Sequence, residues 1–176
     1  MKIMSLEIPG CYLIEQEEHK DERGSFARQF CKQELAKVGI DFDIKQCNVS
    51  KNYKAGVLRG MHYQKEPYPE IKIVSVFKGA IYDVLVDLRP ESPTYLKWIS
   101  CELTEDNNRS VYVASGVAHG FQTLKNNTVV YYQLGEFFMP QYYAGVRWND
   151  PKLNIKWPEC KNRIINARDA NYELIR

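Results

Sequence analysis

The stretch Ile71-Lys72-Ile73-Val74-Ser75-Val76-Phe77-Lys78-Gly79-Ala80-Ile81-Tyr82-Asp83-Val84-Leu85-Val86-Asp87-Leu88 decides the fold. Residues 71–77 and 80–88 are rich in β-branched and aromatic side chains, and Lys78-Gly79 breaks the run, so they read as two strands. The same pattern continues downstream. Arg89-Pro90-Glu91-Ser92-Pro93 is a loop, residues 96–103 a strand, and Glu105-Asp106-Asn107-Asn108 a turn. Residues 110–113, 120–124 and 128–134 complete the run. Upstream, residues 44–50 alternate, with Gln46, Asn48 and Ser50 on one face. Residues 32–38 are the one clear helix, ended by Gly39. Asp21-Glu22-Arg23-Gly24 is a turn before an aromatic strand at 25–30, and Pro9-Gly10 splits residues 1–15 into two short strands. The polar tail from Glu159 has room for one further short helix. Strands spaced by roughly 8–12 residues with turn signals between them predict an all-β fold, a jelly-roll β-barrel with short peripheral helices.

Composition narrows the function classes. A chain of 176 residues with 44% hydrophobic and 26% charged residues suits one domain, residues 1–176. A net charge of +2 with no basic stripe gives no nucleic-acid signature. Apolar runs are too short to span a membrane, and no export signal is visible, so a cytoplasmic protein is expected. Cys11, Cys31, Cys47, Cys101 and Cys160 are odd in number and irregularly spaced, which reads as a reduced set without disulfides or a zinc knuckle.

Two glycine-flanked histidines stand out: His62 in Gly56-Val57-Leu58-Arg59-Gly60-Met61-His62-Tyr63-Gln64 and His119 in Gly116-Val117-Ala118-His119-Gly120-Phe121. Imidazole is the side chain suited to proton transfer near neutral pH. Metal-binding β-barrels usually show two histidines one residue apart, a Glu and a later His. That spacing is missing here, so no metal is expected. Acid–base chemistry without one needs a base, an acid and a group for developing charge. His62 is a candidate base and a Tyr a candidate acid. Only one of Tyr131 and Tyr132 can face inward on a strand. Lys72, between Ile71 and Ile73, either points outward or is buried for a purpose. Arg23 and Arg59 adjoin glycines and suit a pyrophosphate, or else form surface ion pairs.

The motifs resemble, in order, those of the nucleotide-sugar 3,5-epimerase family, of which dTDP-4-dehydrorhamnose 3,5-epimerase is the best-known member, a cupin-like fold. They are Asp21-Glu22-Arg23-Gly24-Ser25-Phe26, Gln46-Cys47-Asn48-Val49-Ser50, the stretch from Gly56 to Gln64, Lys72 with Gly79 to Arg89, and Ser92-Pro93-Thr94. Ala118-His119-Gly120-Phe121, Val146-Arg147-Trp148-Asn149-Asp150-Pro151 and Ile155-Lys156-Trp157-Pro158 follow. The resemblance implies His62 as the base, Asp169 as its orienting carboxylate and Tyr132 as the acid on the opposite face of the sugar. It implies Lys72 and His119 at the enolate oxygen, with Asp83 close to the histidines. Arg23 and Arg59 would hold phosphates. Phe26, Gln46 and Asn48 would frame the nucleotide, partly across a homodimer interface. No cofactor is implied.

The expected substrate is dTDP-4-keto-6-deoxyglucose, on the way to dTDP-rhamnose, inverted at C3, C5 or both. Alternatives are a single-centre epimerase of another sugar nucleotide such as a GDP-4-keto-heptose, a sugar 3,4-ketoisomerase, or a non-catalytic binding barrel. Departures from the family pattern lie in the walls: Phe137-Phe138 in place of two tyrosines, Glu70 for Gln, Ser75 for Arg, and Ala114-Ser115-Gly116-Val117 before Ala-His. The hydroxyl missing at Phe138 predicts that inversion at one centre, C3, dominates.

Overall fold

Successive side chains of a strand face opposite sides, so each strand lends every second residue to an interior. The computed structural model describes residues 1–175 and places the β-rich runs in two antiparallel sheets. In chain order the strands are β1 (Lys2–Ser5), β2 (Tyr12–Glu15), β3 (Glu18–Asp21), β4 (Gly24–Ala27), β5 (Gln46–Asn52), β6 (Leu58–Gln64) and β7 (Lys72–Lys78). Then come β8 (Ala80–Asp87), β9 (Trp98–Thr104), β10 (Arg109–Val113), β11 (Val117–Thr123), β12 (Thr128–Leu134) and β13 (Tyr143–Gly145). One sheet runs β1-β2-β10-β7-β12-β5 and the other β13-β6-β11-β8-β9, while β3 and β4 form a separate hairpin. The result is the expected all-β, cupin-like jelly roll with two short helices, α1 (Lys32–Ala36) and α2 (Ala167–Ala170).

Three apolar layers follow from the alternation. Val74, Val76, Val111 and Val130 of the first sheet meet Ile81, Leu85, Leu103 and Phe121 of the second. Outside the five-stranded sheet, Met61, Val84 and Val86 are covered by Val146, Leu153 and Ile155 of the C-terminal segment. Outside the six-stranded sheet, Ile14, Ile73 and Tyr112 are covered by Leu35, Ile40 and Phe42. One end of the interior is thus filled, and the other is left for a cavity.

Several elements differ from the sequence expectation. The helix stops at Ala36, because Val38 donates to the Leu35 carbonyl in a tight turn and Gly39 follows at φ +80°. The expected strand at 25–30 is only β4, which pairs with β3 and leaves Phe26 72% exposed. The strand expected from Gly120 begins at Val117, which pairs with Asp87, so His119 lies inside β11 rather than at its edge. Asp87 also fastens the loop after β8. It accepts from Arg89 Nε and Nη2 at 2.8 Å each, from Thr94 at 2.6 Å and from Ser92 at 2.5 Å. Burial would raise the Asp87 pKa, but these donors outweigh it and hold the carboxyl well below the usual range.

One irregularity sets the inward face. Between β6 and β11, His62 pairs with His119 and Arg59 with Phe121, so three steps on β6 oppose two on β11. This bulge adds one residue to β6 and turns both Arg59 and His62 toward the interior. It requires glycine: Gly60 has φ +137°, and a Cβ there would lie 2.5 Å from the Gly120 Cα. Gly24 has a similar φ of +132° with nothing within 4 Å. We therefore expect Gly60→Ala to cost about 2 kcal/mol more than Gly24→Ala, roughly 4–8 °C in Tm. Equal melting shifts in the two variants would contradict a bulge held by close backbone approach.

Candidate active site

The open end between the sheets is a cavity of about 350 Å³. Strand alternation and the bulge bring Arg59, His62, Lys72, His119 and Tyr132 to its walls, together with Gln46, Asn48 and Phe138. Eight of the eleven residues singled out from sequence thus line one space. Asp169 stands directly behind His62.

His62 Nε2 lies 2.8 Å from Asp169 Oδ1, while Asp169 Oδ2 accepts the Gly60 N–H at 3.2 Å. The carboxylate is fully buried. It is delivered from 107 residues away by a C-terminal segment that clips onto β6. Leu58 N–H donates to the Ile164 carbonyl and Ile164 N–H to the Gly56 carbonyl, both at 2.8 Å. The Asn166 side chain then caps α2 by accepting the Asp169 N–H at 2.7 Å. Burial would raise the Asp169 pKa, but the His62 hydrogen bond and charge, the Gly60 amide and Arg168 outweigh it and hold it low. An ionised carboxylate only accepts, so the network assigns the proton to Nε2 and leaves the Nδ1 lone pair free. Burial pushes the His62 pKa below its ordinary value, opposed by Asp169 and aided by Lys72 and Arg168. The imidazole is therefore neutral at pH 7, as a base must be.

Tyr132 is the inward member of its pair. It packs edge-on against His119, with centroids 6.3 Å apart, whereas Tyr131 stacks on Phe77 on the outer face. Burial, and then the charge of Asp83, push the Tyr132 pKa far up, so the phenol stays protonated. His62 is on β6 of one sheet and Tyr132 on β12 of the other, so base and phenol occupy facing walls. His119 Nε2 is 2.7 Å from Asp83 Oδ1, which gives the second histidine its carboxylate, 36 residues away in sequence. Lys72 is buried and forms an ion pair with the equally buried Glu70. Arg59 Nε donates to Asn52 Oδ1 at 2.8 Å, and the Gln46 side chain accepts the Phe138 N–H at 3.0 Å. Among the described residues, no three His, Cys, Asp or Glu side chains cluster as a metal-binding set.

Arg23 and Phe26 do not reach this cavity within the chain. They sit on the β3–β4 hairpin, where Arg23 pairs with Asp21 at 2.5 Å and its side chain is 85% exposed. Seven further residues line the cavity outside that predicted set, and two of them lie close to His62 and Asp169. Tyr143 lies on the short edge strand β13, and Arg168 adjoins Asp169 with its guanidinium 4.9 Å from the Tyr143 ring. Only the position of Arg168 beside Asp169 could have flagged either from sequence.

The family described as dTDP-4-dehydrorhamnose 3,5-epimerase matches residues 5–176. The enzyme of that name from Sinorhizobium fredii is 36% identical over 97% of this chain and 88% of its own length. Its counterpart from Methanothermobacter thermautotrophicus is 36% identical over 99% of this chain and 95% of its own. The crystal structure of the Bacillus anthracis dTDP-4-dehydrorhamnose 3,5-epimerase, with TDP and PPi bound, superposes with a TM-score of 0.95 at 38% identity, covering 99% of both chains. ChmJ, a 3'-monoepimerase from Streptomyces bikiniensis in complex with dTDP-quinovose, gives 0.92 at 30% identity over 97% of this chain and 86% of its own. Matches of this length and identity carry one conclusion: the chain belongs to the dTDP-4-dehydrorhamnose 3,5-epimerase family.

Proposed function

We propose that this chain epimerises a dTDP-linked 4-keto-6-deoxy sugar, with dTDP-4-keto-6-deoxyglucose as substrate. The observation that carries the reading is the placement of a neutral, carboxylate-backed imidazole and a protonated phenol on facing walls of one cavity. The 4-keto group acidifies the protons at C3 and C5. His62 Nδ1 removes one of them, and its positive charge is stabilised by Asp169. The electron pair moves onto the 4-oxygen as an enolate, which Lys72 stabilises as a cation, while His119, its Nε2 held by Asp83, orders the site. Tyr132 returns a proton from the opposite face, inverting the centre, and solvent restores the phenol and the neutral imidazole. Each step moves only protons and electron pairs within the sugar, so the chemistry needs no cofactor. Arg59, Gln46 and Asn48 hold the nucleotide diphosphate at the mouth of the cavity, and Phe138 borders the sugar.

We further propose a homodimer. The exposed β3–β4 hairpin would bring the Arg23 and Phe26 of one protomer to the phosphates and base bound by the other. An apolar patch beside β5 supports such an interface: Val49 is 58% and Phe77 51% exposed, and Phe77 stacks on Tyr131 with centroids 4.8 Å apart. All five cysteines are free, as suits the reducing cytoplasm where we place the protein. No described helix is long and apolar enough to cross a membrane.

Incubation with dTDP-4-keto-6-deoxyglucose in deuterated water, read by NMR, is expected to show deuterium entering C3, C5 or both. His62→Ala should abolish this while a chelator leaves the wild type active. Wild-type activity lost in EDTA and restored by a divalent metal would sink the mechanism.

The pH dependence follows from the His62 shift. Its folded pKa lies below the ordinary histidine value, so the base form predominates at pH 7 and kcat/KM should fall as the pH is lowered through that depressed pKa. Asp169→Asn removes a charge that favours imidazolium. The acid limb should move to still lower pH, and the plateau should fall by about 10²- to 10⁴-fold. A limb that moved upward would show that His62 is not the titrating base.

Sedimentation of the wild type should give a dimer, and Phe26→Ala should weaken TDP binding. A fully active monomer at assay concentration contradicts the shared site.

A further inference from the structure

Tyr143 lines the cavity, yet the chemistry above gives it nothing to do, and no described residue hydrogen-bonds its hydroxyl. Its place is set by register. Tyr143 pairs with Gln64, two residues along β6 from His62, so its side chain stands on the same face as the imidazole. The ring lies 5.3 Å from His62 and 5.3 Å from Phe138, centroid to centroid, between the reacting end and the mouth of the cavity. The Arg168 guanidinium covers it at 4.9 Å. The strand cannot shift easily. Gly145, paired with His62, is so closely covered by Tyr172 that a Cβ there would meet its ring at 2.3 Å. Burial pushes the Tyr143 pKa up, opposed by the charge of Arg168, so the phenol keeps its proton at pH 7. The cavity therefore has two protonated phenols. Tyr132 faces His62, and Tyr143 stands beside it, next to the ring of Phe138, which has no hydroxyl to offer.

We infer that Tyr143 is a substrate-positioning residue that donates a hydrogen bond to a hydroxyl of the bound hexose, fixing which C–H is presented to His62. The inference rests on the epimerase reading above. It also relocates the choice of centre: a hydroxyl is missing at Phe138, but one is supplied from the His62 wall.

The test compares wild type with Tyr143→Phe, which keeps the ring and its packing. It measures the KM for dTDP-4-keto-6-deoxyglucose, the ratio of deuterium entering C3 and C5, and the Kd for TDP alone, which has no hexose. Loss of one hydrogen bond should raise KM about three- to tenfold and shift the C3-to-C5 ratio. TDP affinity should stay within about twofold, and the acid limb of kcat/KM should not move. An unchanged KM and ratio overturn the inference, as does a parallel loss of TDP affinity, which would place the contact on the nucleotide. Exchange by the wild type in the same assay keeps such a failure separate from failure of the epimerase reading. A wild type without exchange would overturn both.

Discussion

The close approach of Gly60 and Gly120 is the constraint on which the site depends. Without side chains at these positions, β6 and β11 can carry a bulge between His62 and Arg59, and both residues then face the cavity. The same turn of backbone offers the Gly60 N–H to Asp169, the carboxylate that holds His62. Backbone geometry, base orientation and the docking of the C-terminal segment are therefore one unit. Loss of the bulge would turn Arg59 or His62 outward, and an outward His62 would cost the buried Asp169 its imidazole partner, an expensive change for a carboxylate.

Around this unit the cavity is electrostatically matched. His62 faces Asp169, His119 faces Asp83 and Lys72 faces Glu70, each pair largely withdrawn from water. A buried charge is tolerated when paired, and the pairing fixes where each group points. The roles then separate by environment. Burial favours neutral His62 and protonated Tyr132, so the proposed base and acid can coexist at the same pH on opposite walls. The Glu70 carboxylate balances Lys72, so in the proposed reaction the ammonium would act on the enolate oxygen from within an ion pair rather than as a bare charge.

Much of this was legible in the sequence. Regular spacing of β-rich runs and turns announced the jelly roll, and the glycine-flanked histidines marked the site. Local pattern could not decide the direction of Lys72, because a Lys between two isoleucines fits either face until the partner strands are known. Nor could it give His119 its carboxylate, since Asp83 meets it only through the pairing of β8 with β11. The bulge was invisible for the same reason: it is a property of two strands together. Tyr143 was hidden among twelve tyrosines, and only its pairing beside His62 distinguishes it. Phe26 was recognised by motif alone and Arg23 also by its neighbouring glycine, and within the chain both stay on an exposed hairpin.

The central claim is that proton removal and proton return are performed by different residues on facing walls. The most direct measurement is deuterium incorporation and product stereochemistry for Tyr132→Phe, followed together by NMR in deuterated water. Removal by His62 should survive, so deuterium enters the sugar, while inversion slows by about 10²- to 10⁴-fold for the lost acid. Inversion at the wild-type rate would contradict the assignment of Tyr132, and loss of exchange together with inversion would contradict the division of labour between the walls.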